Sequence, residues 1–458
     1  MQRFAAALRV MKKLLLGGVI LLLVAVLAAA GYGVHLVGKL NTPEFQKSLL
    51  DQAKAAVGAD VRVKEMDISL FRGVTLKGIA IANPAPFAGD LLTADAFVLR
   101  YRLRPLLAGR VEVERVALEK PALGLVLDAR GVFNYEKLGG PALKKRSAAA
   151  PAGAAAVPLR VVLKQLAVED GSVTLTDHTK ARLLTVEGAG FRSAFEVEGG
   201  TARGSGEAAI PTVSLGDLLF LRSVRAPLSL SKETVKLTPI RAEVARGRAT
   251  GDVTVYMKGG FRYVANLEVK GVDMSTLLAE AKSAGGVAGT LAAKATFEGS
   301  GGLPTMKGRG QGTVTGCRVE HGRTLSLLAS ILQVPELASP DFDECRAEFT
   351  QSGSRVSTPV LLLTGEAVQL RGAGTVDLET SGLDYRMTLA LAPGLYAKVT
   401  RPELRPAFKD RGDGYSAIDF RLFGTTSEPQ TDLLSRVAKA AAADAVKKGI
   451  DSLFKKKD

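Results

Sequence analysis

The chain has 458 residues, of which 47% are hydrophobic and 23% charged, and this balance excludes both a disordered tail and a wholly membrane-embedded protein. Its 49 glycines, 19 prolines and 5% aromatic content favour many short strands joined by turns over long helical bundles. Three histidines and two cysteines leave little material for metal or thiol chemistry, so we expect no catalytic, cofactor or metal site.

A long uncharged segment near the N-terminus predicts a membrane anchor. Leu14 to Val37 contains 24 residues without a charged side chain if His35 is neutral. At about 1.5 Å per residue, a helix of this length reaches roughly 36 Å and can cross a bilayer. The basic residues before it are Arg3, Arg9, Lys12 and Lys13. Residues 1–40 are therefore predicted to form a cytoplasmic stub and a single-pass inner-membrane anchor, with the rest of the chain exported.

A cleaved signal peptide is the alternative, because Ala28-Ala29-Ala30 would serve as a small-residue cleavage site. In an exported domain, the net charge of +15 fits anionic lipid headgroups or other envelope polyanions better than nucleic acid, and we expect no nucleic-acid partner. An oxidising compartment also allows a disulfide between Cys317 and Cys345. Two buried thiols are the other interpretation, and the sequence leaves both open.

Further along the chain, the pattern predicts a helix over residues 41–58, followed by strands, which together form a module over 41–138. Residues 139–158 are rich in Ala, Pro and Lys and predict a linker or an exposed loop. Alternating strands then continue over 159–430, interrupted by predicted helices at Met274–Ala281 and Thr324–Gln333. Residues 431–458 predict a basic amphipathic C-terminal helix.

Between Gly58 and Tyr135 the order of motifs becomes specific. Its most distinctive parts are the Ile68–Leu76 segment, the Arg104–Gly109 segment and the Asp128–Tyr135 segment. In this order the motifs resemble the N-terminal region of the AsmA family of Gram-negative envelope proteins.

The resemblance implies a mainly β fold, with an N-terminal transmembrane helix followed by an elongated, curled antiparallel β-sheet. A few short helices and the C-terminal helix complete it. Such a sheet forms a taco-like groove, related to those of bridge-like lipid-transfer proteins, and its apolar face can hold acyl chains while headgroups stay in water. The candidate groove residues are Val111, Val113, Leu123, Leu125, Leu127, Phe261 and Tyr263.

The expected function is therefore a non-enzymatic, periplasmic lipid-binding protein that assists phospholipid transport to the outer membrane or its homeostasis. At about 12–15 residues per strand and turn, we expect about 25–30 strands and a groove of roughly 120–145 Å. A groove of this length is shorter than a periplasm and favours shuttling or handing lipid to a partner. Two alternatives are a scaffold or regulator of outer-membrane protein assembly, with an outer-membrane or periplasmic protein partner, and an enzyme acting on envelope polymers.

Overall fold

A computed structural model describes residues 42–436, apart from short internal gaps. The gaps are residues 70, 103, 106–109, 130–131, 139–159, 199–200, 258–261, 283–285, 301–304, 321–322, 401–404, 427 and 434. The predicted span Leu14 to Val37, the linker 139–158 and the C-terminal helix beyond Arg436 lie outside the described residues. Within the described residues, no helix is both long enough and apolar enough to cross a membrane.

The fold is mainly β. The strands are β1 (Val61–Arg62), β2 (Glu65–Ser69), β3 (Gly73–Ala82), β4 (Asp90–Arg102), β5 (Arg110–Glu119), β6 (Ala122–Val126), β7 (Arg160–Thr176), β8 (Arg182–Glu198), β9 (Thr201–Leu215), β10 (Leu219–Leu230), β11 (Thr234–Val244), β12 (Gly247–Tyr256), β13 (Arg262–Asp273), β14 (Gly286–Gly299), β15 (Lys307–Glu320), β16 (Asp341–Ser352), β17 (Arg355–Thr364), β18 (Val368–Asp377), β19 (Gly382–Leu391), β20 (Lys409–Asp410), β21 (Ser416–Thr425) and β22 (Pro429–Thr431). The α-helices are α1 (Pro43–Val57), α2 (Met274–Glu280), α3 (Arg323–Leu332) and α4 (Pro393–Tyr396). Three 3₁₀ turns cover Asn134–Lys137, Pro335–Ala338 and Arg405–Ala407.

The three predicted helices that fall in the described residues, over 41–58, Met274–Ala281 and Thr324–Gln333, are confirmed. For the first two, capping residues mark where the helix begins or ends. Helix α1 begins after Thr42, whose Oγ1 accepts a hydrogen bond from the Phe45 amide at 3.4 Å. It ends at Gly58, which adopts the left-handed conformation with φ 72°. Helix α2 begins after Asp273, whose Oδ1 accepts from the Thr276 amide at 2.7 Å.

The described residues pack into two units. Unit 1 takes in the residues up to Glu243, with Thr250–Ala265 and Ser300–Gly302, and unit 2 takes in Val244–Ala249, Asn266–Gly299 and the residues from Leu303 on. In unit 1, β3 pairs with β4, and β4 pairs with both β5 and β6. Strand β7 also pairs with both β5 and β6, and from β7 to β11 neighbouring strands pair in sequence order. The short strands β1 and β2 both pair with β3.

The expectation of a purely antiparallel sheet is wrong, because β7 runs parallel to β5 and β6. Arg110 pairs with Arg160, and Val126 pairs with Thr176. The chain leaves β6 at one end of the strands and enters β7 at the other, over the segment that contains the 3₁₀ turn and residues 139–159. A parallel pair needs a long crossover of this kind, whereas an antiparallel pair needs only a turn.

A row of irregular residues crosses the neighbouring strands of unit 1. Positive φ angles occur at Lys120 (43°), Asp170 (55°), Gly188 (67°) and Ser223 (52°). Two prolines, which lack a backbone N–H, lie in the same row: a Cβ placed on Gly171 would lie 3.3 Å from Pro121 Cγ, and one on Gly188 would lie 3.0 Å from Pro211 Cγ. The β7–β8 register shifts here, as it does at β-bulges, which bend strands and increase their twist.

The number of strands is lower than expected. The described residues form 22 strands, whereas the sequence predicted about 25–30. The difference arises because several strands are long: β7 and β8 each have 17 residues, and β9 has 15.

Unit 2 has its own apolar core. Strands β14 to β19 and β21 pair antiparallel in order, and β20 and β22 both pair with β21. The connection between β15 and β16 carries α3, whose Leu325, Leu328 and Leu332 are buried in this core. Their sheet partners include Leu389 and Phe420, so the apolar face predicted for this helix packs on the sheet.

The Sγ atoms of Cys317 and Cys345 are bonded in the structure, with the two Cα atoms 6.0 Å apart. Cys317 lies on β15 and Cys345 on β16. The bond therefore closes the loop that carries α3 and links the two strands on either side of it.

Removal of this disulfide is expected to loosen α3. The cysteines are separated by 28 positions, and closing a loop of this length contributes about 3–4 kcal/mol in the chain-entropy model. We expect the double variant Cys317→Ala, Cys345→Ala to lose that much stability in unit 2, measured as faster hydrogen exchange of the α3 amides. Reductant should speed the hydrogen exchange of the α3 amides in the parent protein and leave their exchange in the double variant unchanged. Equal protection of α3 with and without the bond would contradict this role.

Candidate functional site

Unit 1 carries an apolar surface on one side of β8, β9, β10 and β11. Cross-strand partners lie on the same face of a sheet, so the pairings define rows of side chains. We call this surface the β8–β11 face. Its side chains are Phe191, Phe195, Ala208, Ile210, Val224, Ala226, Leu228, Leu230, Val235, Leu237, Ile240 and Ala242. Val224, Ala226 and Ala242 are buried, and the other nine are half-buried. One row runs from Gly206 to Leu228 and Leu237, and all three are half-buried.

The opposite side of the same strands is polar and mostly exposed. Arg192 pairs with Glu207 across β8 and β9, and Glu196 pairs with Arg203. Ser229, one residue from Leu228, is exposed. Each strand therefore has one apolar and one solvated side, and opposite charges on the solvated side stabilise the pairing.

Small residues on β9 let neighbouring side chains lie across the face. A Cβ on Gly204 would come within 2.5 Å of Phe195 Cδ1 and 2.2 Å of the Ala194 carbonyl oxygen. The Phe195 ring therefore occupies the space that a side chain at position 204 would need. Glycine at this position widens the apolar surface that one aromatic ring can cover.

The face continues onto β7, where Leu163 pairs with Phe195 and Leu166 pairs with Ser193. There, however, it belongs to a packed cluster. Leu163 and Leu166 pack against a core of Ile68, Val74, Leu99, Tyr101, Val113 and Val116, together with Phe45 and Leu49 of α1. None of the three apolar clusters formed by the described residues contains a side chain from the β8–β11 face.

A second cluster in unit 1 is covered by an aromatic cap, which we define as Phe133, Asn134 and Tyr135. The rings of Phe133 and Tyr135 stack with centroids 5.0 Å apart. They are buried with Leu91 and Leu125, and Leu123, Leu127, Val173 and Leu175 pack around them.

Asn134 holds the cap on β6. Its side chain is fully buried. Its Nδ2 donates to the Gly124 carbonyl oxygen and to Asn83 Oδ1, each at 2.7 Å. Its Oδ1 accepts from the Val126 amide at 3.2 Å and from the Tyr135 amide at 3.1 Å. One side chain thus satisfies backbone groups of both the strand and the cap.

The structure places the predicted groove residues in different surroundings. Leu123, Leu125 and Leu127 do lie together, but under the aromatic cap, where Leu125 is buried. Val113 is 2% exposed in the cluster under α1. These four positions therefore belong to packed cores rather than to an open surface.

The remaining candidates are separate from these. Tyr263 on β13 is half-buried, its hydroxyl is buried without a hydrogen-bond partner among the described residues, and burial raises its pKa. The backbone of Val111 pairs with Val161, and its side chain lies outside the described set, as does all of Phe261. Within the described chain, no group of three or more His, Cys, Asp or Glu side chains could hold a metal ion.

The residues of the β8–β11 face were missed by the sequence analysis, although a signal for them is present. In β10 every second residue is apolar: Val224, Ala226, Leu228 and Leu230. Pro227 interrupts this run, and a proline ordinarily indicates an edge strand. In β9 the corresponding positions are mostly glycine and alanine, which weakens the alternation of hydrophobicity.

The AsmA family model matches residues 11–189 of this chain. The match starts within the N-terminal segment and runs through α1 and the strands up to the first part of β8. It confirms the resemblance seen in the order of motifs, so this region of the chain is AsmA-like. Comparisons with curated proteins and with solved structures gave no match.

Loss of the Asn134 side chain should destabilise the cap. The variant Asn134→Ala leaves the Val126 amide and the Gly124 carbonyl without their partner, at a cost of about 1–3 kcal/mol for each buried group. We expect a fall of several degrees in the thermal transition of unit 1. Ser229→Ala, at an exposed position on β10 of the same unit, is the control and should change the transition little. An equally small change for both variants would show that Asn134 does not hold the cap.

Proposed function

We propose that this protein is a membrane-anchored lipid-binding protein of the bacterial envelope, without enzymatic activity, that binds phospholipid acyl chains on the β8–β11 face. In this proposal Leu14 to Val37 anchors the chain in the inner membrane, and the strands lie in the periplasm. The protein assists phospholipid transport to the outer membrane or its homeostasis, by shuttling lipid or passing it to a partner.

The observation that carries the proposal is the apolar face itself. It presents aromatic and aliphatic side chains on one side of four paired strands and charged ones on the other. An acyl chain lying along such a surface loses contact with water on the side that faces the strands, and each methylene group that becomes fully buried contributes about 0.8 kcal/mol. A headgroup needs no pocket, since it can remain in solvent beside the strand.

The family match and the chemistry of the chain support the same conclusion. The AsmA family match over residues 11–189 supports an envelope role for the chain, and the β8–β11 face follows directly after it in the sequence. The bonded cysteines of unit 2 suit an oxidising compartment, as the periplasm is. The basic excess suits contact with anionic lipid headgroups.

A charge placed on the face tests the proposal. Leu228→Glu puts a carboxylate in the middle of the apolar surface, and the cost of desolvating it opposes acyl-chain binding. We expect the phospholipid that co-purifies with the full chain, counted by native mass spectrometry and lipid extraction, to fall about tenfold or more, corresponding to at least about 1.4 kcal/mol.

Ser229→Glu is the matched control, because it adds the same charge one residue away on the exposed side of β10. It should keep the parental amount of lipid, and both variants should keep the parental circular dichroism spectrum. Full lipid retention by a folded Leu228→Glu variant would refute binding at this face. A folded parent protein that carries no lipid would favour the scaffold of outer-membrane protein assembly instead.

A further inference from the structure

The turn between β2 and β3 exposes an aromatic side chain. Phe71 is 76% exposed, the largest value among the exposed large hydrophobic side chains of the described residues. Arg72, beside it, is also exposed. An isolated exposed apolar residue needs no explanation, but this one lies in a turn whose described residues are held by specific contacts.

Three contacts hold the turn in place. Ser69 Oγ accepts a hydrogen bond from the Arg72 amide at 3.2 Å, and the Tyr101 hydroxyl donates to the Ser69 carbonyl oxygen at 3.3 Å. Gly73 has φ +94°, and a Cβ there would lie 2.0 Å from the Leu99 carbonyl oxygen. Only glycine fits at position 73, so Gly73 and Val74 are buried against β4 while Phe71 and Arg72 are exposed.

The turn lies at one end of the strands of unit 1, which we call the Phe71 end: the end at which β3, β5 and β7 begin. Helix α1 begins towards the same end, because Gln46 Nε2 donates to the Met66 carbonyl oxygen at 3.0 Å. From Met66, β2 runs only three residues to Ser69, or about 10 Å. The first turn of α1 and the turn that carries Phe71 therefore lie towards the same end of the strands.

In the proposed topology, the anchor that precedes α1 brings this end close to a membrane. The predicted span finishes at Val37, and five residues separate it from Pro43. Fully extended, the six Cα-to-Cα steps from Val37 to Pro43 reach no more than about 22 Å. A bilayer crossed by the span is therefore within reach of the Phe71 end.

The exposed charges at this end suit an anionic surface. Lys47 on α1, Arg72 in the turn and Arg104 just beyond β4 are exposed. The exposed acids Glu44 on α1 and Asp67 on β2 offset part of this positive charge. Arg102 pairs with Glu114 and Lys77 with Glu65, so these four groups largely cancel.

We propose that the Phe71 end is a membrane-docking surface, in which the Phe71 ring enters the headgroup boundary of the anchoring bilayer while Arg72 and its basic neighbours contact anionic headgroups. Apolar side chains on such surfaces enter the boundary region, and basic ones bind its negative charge. This contact rests on the membrane anchor of the proposed function, but it does not depend on lipid binding at the β8–β11 face.

The absence of tryptophan from the chain allows a direct test. The full-length Phe71→Trp variant carries a single indole, which is measured after reconstitution into vesicles of phosphatidylethanolamine and phosphatidylglycerol with bromine-labelled acyl chains. We expect a blue-shifted emission and about a twofold loss of intensity by bromine quenching, because the ring lies at the boundary region. Quenching should weaken when phosphatidylcholine replaces phosphatidylglycerol.

Leu218→Trp is the matched control. Leu218 is 62% exposed in the turn between β9 and β10, at the opposite end of the strands, and its indole should stay unquenched. Equal emission of the two variants would overturn the docking surface, as would a chain that fails to stay with the vesicles after an alkaline wash. Adding Leu228→Glu to Phe71→Trp should leave the quenching intact, which separates docking from acyl-chain binding on the β8–β11 face.

Discussion

The structure depends on one constraint: a sheet with one apolar and one polar side must cover the apolar side or present it to something else. In unit 2, α3 covers it. In unit 1, α1 covers the strands around Val113, and the aromatic cap covers those around Leu125. Beyond β7 the packed clusters stop while the alternation of apolar and charged residues continues through β11. The candidate site is therefore the part of the apolar side that lies outside every packed cluster of the described residues.

Elements with local causes could be predicted from the sequence. Helix α1 follows from Thr42, Pro43 and Gly58, and α3 from its apolar spacing, because these signals act over a few residues. The parallel pairing of β5 and β6 with β7 was missed. It depends on where a crossover of more than thirty residues, from Leu127 to 159, returns the chain, and no short pattern encodes that destination. The row of bulges was missed for a related reason, since Lys120 and Asp170 are ordinary residues whose positive φ angles arise from strand pairing.

The sequence predicted which side of each strand is apolar, but not whether another part of the chain packs over that side. Alternation correctly placed Leu123, Leu125 and Leu127 together on one apolar side, yet it contained no information that Phe133 and Tyr135 fold back over them. Leu228 has the same alternating pattern and lies outside the packed clusters. What distinguishes Leu125 from Leu228 is a tertiary contact fixed by the buried Asn134, which connects the cap to β6.

The most direct test of this account asks which apolar positions touch lipid inside cells. A photoreactive benzoylphenylalanine is placed at Leu228 on the β8–β11 face, at Leu123 beside the aromatic cap, or at Ser229 on the polar side of β10. After irradiation of cells with labelled phospholipids, the account predicts lipid adducts at position 228 and only background at 123 and 229. Adducts at 123 with none at 228, or equal adducts at 228 and 229, would contradict it.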